Sequence, residues 1–128
     1  MSSVKVRSLD IGFDLTKYVV ESLTDDINGL RCVMCENRPG SVLRVALSFA
    51  TFEAYRSSEE SLRMASIAKL PEGSGLYQVR GSDFLSWLRS ESFDTMQAEV
   101  RHYAIVCGNQ WIDVASLDEP MVAEIPKG

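Results

Sequence analysis

Residues 97–115 constrain the fold of this chain most. From Gln97 to Cys107 the run is strand-like, with Tyr103 and Ile105 facing one way and Val100, Ala104 and Val106 the other. Apolar side chains on both faces are the pattern of an interior strand. Gly108-Asn109-Gln110 supplies a turn, and Trp111-Ile112-Asp113-Val114-Ala115 returns. A connection this short joins antiparallel neighbours only, because a parallel pair needs a crossover of about a dozen residues.

The rest of the chain extends that theme. Residues 30–36, Leu-Arg-Cys-Val-Met-Cys-Glu, read as a strand followed by turn residues Asn37-Arg38-Pro39-Gly40. A hairpin to the next run follows, in which Leu43, Val45, Leu47 and Phe49 alternate on one face. Residues 51–56 are expected to prolong that strand past a kink or bulge. Leu76 to Arg80 is a short strand, and Met121 to Ile125 an edge segment after Pro120. Two helices are expected. One covers about residues 15–28, with Leu15, Tyr18, Val19, Leu23 and Ile27 at helical spacing, Asp14 as cap and Asn28-Gly29 as stop. The other begins at the Ser82 cap, buries Phe84, Leu85, Trp87 and Leu88, and ends near Ser92. Residues 59–70 fit two patterns: Leu62, Met64, Ala68 and Leu70 suit a strand, while Ser58-Glu59-Glu60 suits a helix opening. The alternation tips the reading to extended structure. The expected class is α+β, a mainly antiparallel sheet of five to six strands with two helices packed on one face.

The 128 residues are one domain's worth, 1–128, with no repeat or linker. Hydrophobic residues are 45% and charged residues 24%, which excludes disordered and disulfide-scaffold classes. The net charge of -5 disfavours direct nucleic-acid binding, which calls for a basic surface. The N-terminus lacks the apolar core of a secretory signal, and no run reaches the length of a membrane helix. Three cysteines leave one unpaired under oxidising conditions, so a cytoplasmic location is expected.

Cys32-Val33-Met34-Cys35 is a C-x-x-C, but it sits in a strand, where residues three apart point to opposite faces. A redox pair requires a helix N-terminus instead. Adding His102 and Cys107 makes a zinc set by arithmetic only, so no metal and no cofactor are expected. His102 is the single histidine, and Asp113 lies on the returning strand of its hairpin. The two are expected as near neighbours, the carboxylate orienting the imidazole as in a catalytic dyad. No nucleophile motif accompanies them. Gly73-Ser74-Gly75 precedes a strand and so makes no phosphate cradle.

In the second half, Leu76-Tyr77-x-Val79-x-x-Ser82-Asp83-Phe84-Leu85-x-Trp87 is followed by His102-Tyr103-x-Ile105, then Ile112-Asp113-Val114-x-Ser116 and Pro120. Over residues 76–120 this order resembles a loose group of small stand-alone bacterial proteins, some of which look like immunity proteins encoded beside polymorphic toxins. The resemblance implies a cytoplasmic binder that neutralises a toxin, and it carries over no catalytic residue. Charge agrees with it: an acidic domain meets a basic partner faster, by a salt-sensitive amount.

The leading expectation is thus a non-enzymatic, immunity-type inhibitor that covers a basic toxin domain through about 800 Å² per side. Its expected contact residues are the acidic pairs Glu59-Glu60 and Asp118-Glu119, with Trp111 as a half-exposed anchor. The alternative is a small enzyme or ligand-binding domain using His102 and Asp113, which requires a concave pocket beside the histidine. A third possibility is a homodimer paired through the edge at residues 121–125.

Overall fold

The structure, a computed structural model, describes residues 4–125. Residues 1–3, which entered the signal-peptide reading, and the C-terminal end of the expected 1–128 domain lie outside that range. Nine strands are described: β1 Lys5–Ser8, β2 Tyr18–Asp26, β3 Gly29–Glu36, β4 Arg44–Phe49, β5 Ala54–Glu59, β6 Leu76–Arg80, β7 Arg101–Val106, β8 Gln110–Ser116 and β9 Met121–Ile125. Two short helices, α1 Met64–Ile67 and α2 Asp83–Glu91, complete the chain with two 3₁₀ turns. The class is α+β and every strand pair is antiparallel. The expected single sheet is instead two, in the orders β1-β6-β7-β8-β5 and β2-β3-β4-β9.

The sheets face each other across one apolar core. Cys32, Met34, Val45, Leu47 and Phe49 come from the four-stranded sheet, and Leu76, Tyr103, Ile105, Ile112 and Val114 from the other. Phe49 and Tyr103 meet across the gap with ring centroids 5.8 Å apart. On its opposite face the five-stranded sheet carries the helical segments. Ile67 and Leu70 pack on Tyr77, Val79, Ala104, Val106 and Trp111, while Phe84 and Leu85 of α2 pack on Val100 and Ala115.

Residues 15–28 are the main correction: the expected helix is a 3₁₀ turn, Leu15–Lys17, followed by strand β2. Asp14 does cap the turn, accepting the Thr16 N–H at 3.1 Å. The pairing register with β3 shifts between Val20 and Ser22, a β-bulge that leaves Glu21 as the extra residue. Inward side chains are therefore Tyr18, Val20 and then Leu23. The turn spaces Leu15 and Tyr18 by three and the bulge spaces Val20 and Leu23 by three, which imitates a helical period. Asn28-Gly29 closes a hairpin rather than a helix. Gly29 has φ +107°, and a Cβ there would lie 2.2 Å from the Phe49 carbonyl oxygen.

Two other expectations change. Residues 51–56 do not prolong β4; the chain bends after Phe49 and enters the other sheet as β5, paired with β8. The return from β8 to β9 crosses back beside it, and the two crossovers are stitched together by Ser116 Oγ donating to the Thr51 carbonyl at 2.8 Å and Thr51 Oγ1 donating to Asp118 at 2.6 Å. Residues 60–67 are a 3₁₀ turn and one turn of helix, not a strand. β9 takes the expected edge position. Among the described residues no helix is long and apolar enough to cross a membrane.

Candidate functional site

The hairpin β7–β8 builds the polar centre of the molecule. In its register Ala104 faces Asp113 and His102 faces Ala115, so His102 and Asp113 are diagonal neighbours on the helix-covered face. Trp111, two residues before Asp113 on β8, shares that face. On the other flank β5 places Arg56 directly opposite Asp113. The 3₁₀ turn Glu60–Arg63 brings Arg63 in from above.

Asp113 is fully buried. Its Oδ1 bonds His102 Nε2 at 2.6 Å and accepts from Trp111 Nε1 at 2.8 Å. Its Oδ2 accepts from Arg56 Nε at 2.7 Å and Arg63 Nη1 at 3.0 Å. Four donors fill the lone-pair capacity of a carboxylate. Burial pushes the Asp113 carboxyl up, but hydrogen bonds from His102, Arg56 and Trp111 outweigh it and hold the group well below the usual carboxylate range. The carboxylate is thus ionised and accepts only, so His102 Nε2 carries the hydrogen. In the neutral ring Nδ1 is then a lone-pair acceptor, and this buried atom has no partner. An unsatisfied buried polar atom costs about 1–3 kcal/mol and calls for an explanation.

Aromatic rings brace the cluster. The Arg56 guanidinium lies 4.6 Å from the Phe84 ring centroid and that of Arg63 lies 4.3 Å from Trp111. Phe84 also meets the His102 ring edge-on, with centroids 5.2 Å apart. Beside this group, between the start of α2 and the α1 segment, opens a cleft of about 260 Å³. His102, Arg56 and Arg63 line it, together with Lys69, Asp83 and a wall of apolar side chains. The concave pocket that the His102–Asp113 reading required is therefore present. No protein hydroxyl or thiol hydrogen-bonds Nδ1, so the cluster holds no nucleophile–base pair among the described residues.

The other candidates fare differently. Trp111 is not half exposed; it is 4% exposed, because the strand carries it under Arg63 and its N–H is spent on Asp113. Glu59 and Glu60 stand where β5 leaves the sheet, opposite Gln110, whereas Asp118 and Glu119 follow Ser116 at the far end of β8. Five or six strand residues separate the pairs, about 20 Å, so they form no single patch. Asp118 also spends a carboxylate oxygen on Thr51. Cys32 points into the core and Cys35 to the opposite face, as their spacing in a strand requires. All three cysteines are free, and burial, with a smaller push from Cys107, drives the Cys32 thiol up to about 12. No group of three His, Cys, Asp or Glu side chains suited to a metal occurs among the described residues.

Sequence reasoning missed Arg56 and Arg63, which became legible only once β5 paired with β8. It also inverted the tryptophans: Trp87, expected in the buried stripe of α2, is 58% exposed. Phe84 and Leu85 already fill the contact with the sheet, which turns Trp87 outward. No family model, curated protein or solved structure matches this chain.

Proposed function

We propose that the protein is a non-enzymatic binding protein of the immunity type, which neutralises a basic toxin domain by direct contact. The observation that carries this reading is the exposed Trp87 on α2, an aromatic in the position of an interface anchor. Phe93, just past the helix, is 91% exposed. Its φ of +53°, followed by +60° at Asp94, is a backbone conformation that costs a bulky residue about 1–3 kcal/mol. The Asp94 N–H bond to the Arg89 carbonyl, 2.8 Å, holds that turn and keeps the ring outside. The segment 83–99 that carries both aromatics holds exposed Asp83, Glu91, Asp94 and Glu99 against one cation, Arg89. A net acidic segment with two exposed aromatics suits a basic partner and replaces the contact set built on Trp111.

The test is calorimetric titration of the chain with a toxin domain encoded beside its gene. A 1:1 complex is expected, with an association rate that falls as salt rises. Trp87→Ala and Phe93→Ala are expected to weaken it roughly tenfold or more each. Absence of a complex, or one indifferent to both substitutions, defeats the reading.

A further inference from the structure

We infer that the cleft beside His102 is a binding site for a small monocarboxylate with an apolar body, such as an aromatic or branched aliphatic acid. This does not rest on the protein-binding reading above. The first ground is charge. One buried carboxylate, Asp113, needs one cation to balance it, yet two guanidiniums converge on it. Lys69 adds a third cation at the cleft wall and Asp83 a second carboxylate. Three cations against two carboxylates leave a single positive charge, which a monoanion neutralises and a phosphate dianion overshoots.

The second ground is unused bonding capacity. Arg56 gives only its Nε, and Arg63 only Nη1, to protein acceptors among the described residues. The remaining N–H groups of both forks are free to take a carboxylate, which suits guanidinium geometry. The third ground is the remaining lining. Val6, Val79, Leu70, Phe84 and Trp111 form an apolar wall, as in sites that bury a ligand's body and read its charge with a few polar groups. A volume of about 260 Å³ fits a ring or a branched chain rather than a nucleotide or a peptide.

The test uses the full chain, labelled with ¹⁵N, and three probes: benzoate, the neutral isostere benzamide, and inorganic phosphate. Benzoate is expected to shift the Trp111 indole N–H resonance saturably, with a dissociation constant of about 1–10 mM, normal for so small a ligand. Benzamide is expected to bind roughly tenfold more weakly and phosphate more weakly than benzoate. Arg63→Gln should abolish the shift. Lys69→Gln, a change at an exposed position that leaves the fold intact, should weaken benzoate about two- to fivefold. No saturable shift with benzoate, equal binding of benzamide, tighter binding of phosphate, or indifference to Lys69→Gln overturns the inference. The toxin titration reads none of these outcomes, so the two proposals fail separately.

Discussion

Strand β7 offers a comparison within six residues. Toward the other sheet it sends Tyr103 and Ile105 into a core of aliphatic and aromatic side chains; toward the helices it sends His102 and Ala104, beside a buried carboxylate with four bonded donors. Both faces are almost equally dry. They differ in what holds them. The inner face is stabilised by apolar area, which is non-directional and tolerates exchange of similar shapes. The outer face depends on direction, because a buried charge is stable only while each partner stays in place. Adjacent residues of one strand thus meet two kinds of constraint, and the directional one leaves guanidinium N–H groups open toward a cleft.

The largest effect that would sharpen this contrast is expected from Asp113→Ala. Removing the carboxylate leaves the largely buried Arg63 and the buried His102 imidazole without their anion, while Arg56 is half exposed, and breaking a buried pair in this way costs about 3–5 kcal/mol. Urea unfolding measures it. A cost near 1 kcal/mol would mean that the cluster is already well hydrated and that the two faces differ little.

The contrast also has a pH signature. Leu47 is fully buried in the inner core, and Leu47→Ala is expected to cost about 2–5 kcal/mol, by an equal amount at pH 7 and pH 3. Asp113 behaves otherwise. Its carboxyl is lower in the folded chain than in the unfolded one, so its contribution is complete above the unfolded value of about 3.9 and is lost as pH falls below it. The cost of Asp113→Ala should therefore shrink by about 1 kcal/mol between pH 7 and pH 3. A pH-independent cost for Asp113→Ala, or a pH-dependent one for Leu47→Ala, would break the comparison.

What was legible in the sequence follows the same division. Alternation predicts which side chains of β7 face each way, and the short turn predicts that His102 and Asp113 meet; both hold, although the strand expected from Gln97 begins only at Arg101, residues 97–100 forming a turn. The N-terminal cap of α2 at Ser82 was legible for the same local reason, its hydroxyl accepting the Leu85 N–H. Non-local facts were not. That Arg56 faces Asp113 depends on β5 leaving one sheet for the other, and no period in residues 42–56 encodes that step. The bulge at Glu21 defeated the reading of β2 because one extra residue changes the spacing from two to three. The tryptophans inverted because burial depends on which element lies above, not on local pattern: Arg63 covers Trp111, and nothing in the described chain covers Trp87.

The smallest expected effect separates the two faces most finely. His102 and Tyr103 are consecutive, and each has one buried polar atom without a partner, Nδ1 on the outer side and Oη on the inner. If the inner face is governed by shape alone, the Tyr103 hydroxyl contributes nothing there but its desolvation. Tyr103→Phe keeps the ring against Phe49 and removes that burden, so stability should stay level or rise by up to about 1 kcal/mol. His102→Phe removes an unpartnered atom too, yet it also takes a donor from Asp113, and should lose about 1–3 kcal/mol. Thermal unfolding of the two variants side by side gives opposite signs if direction matters on one face and not the other. Equal losses at both positions would show that the Tyr103 hydroxyl is bonded after all, and that the inner face also depends on direction.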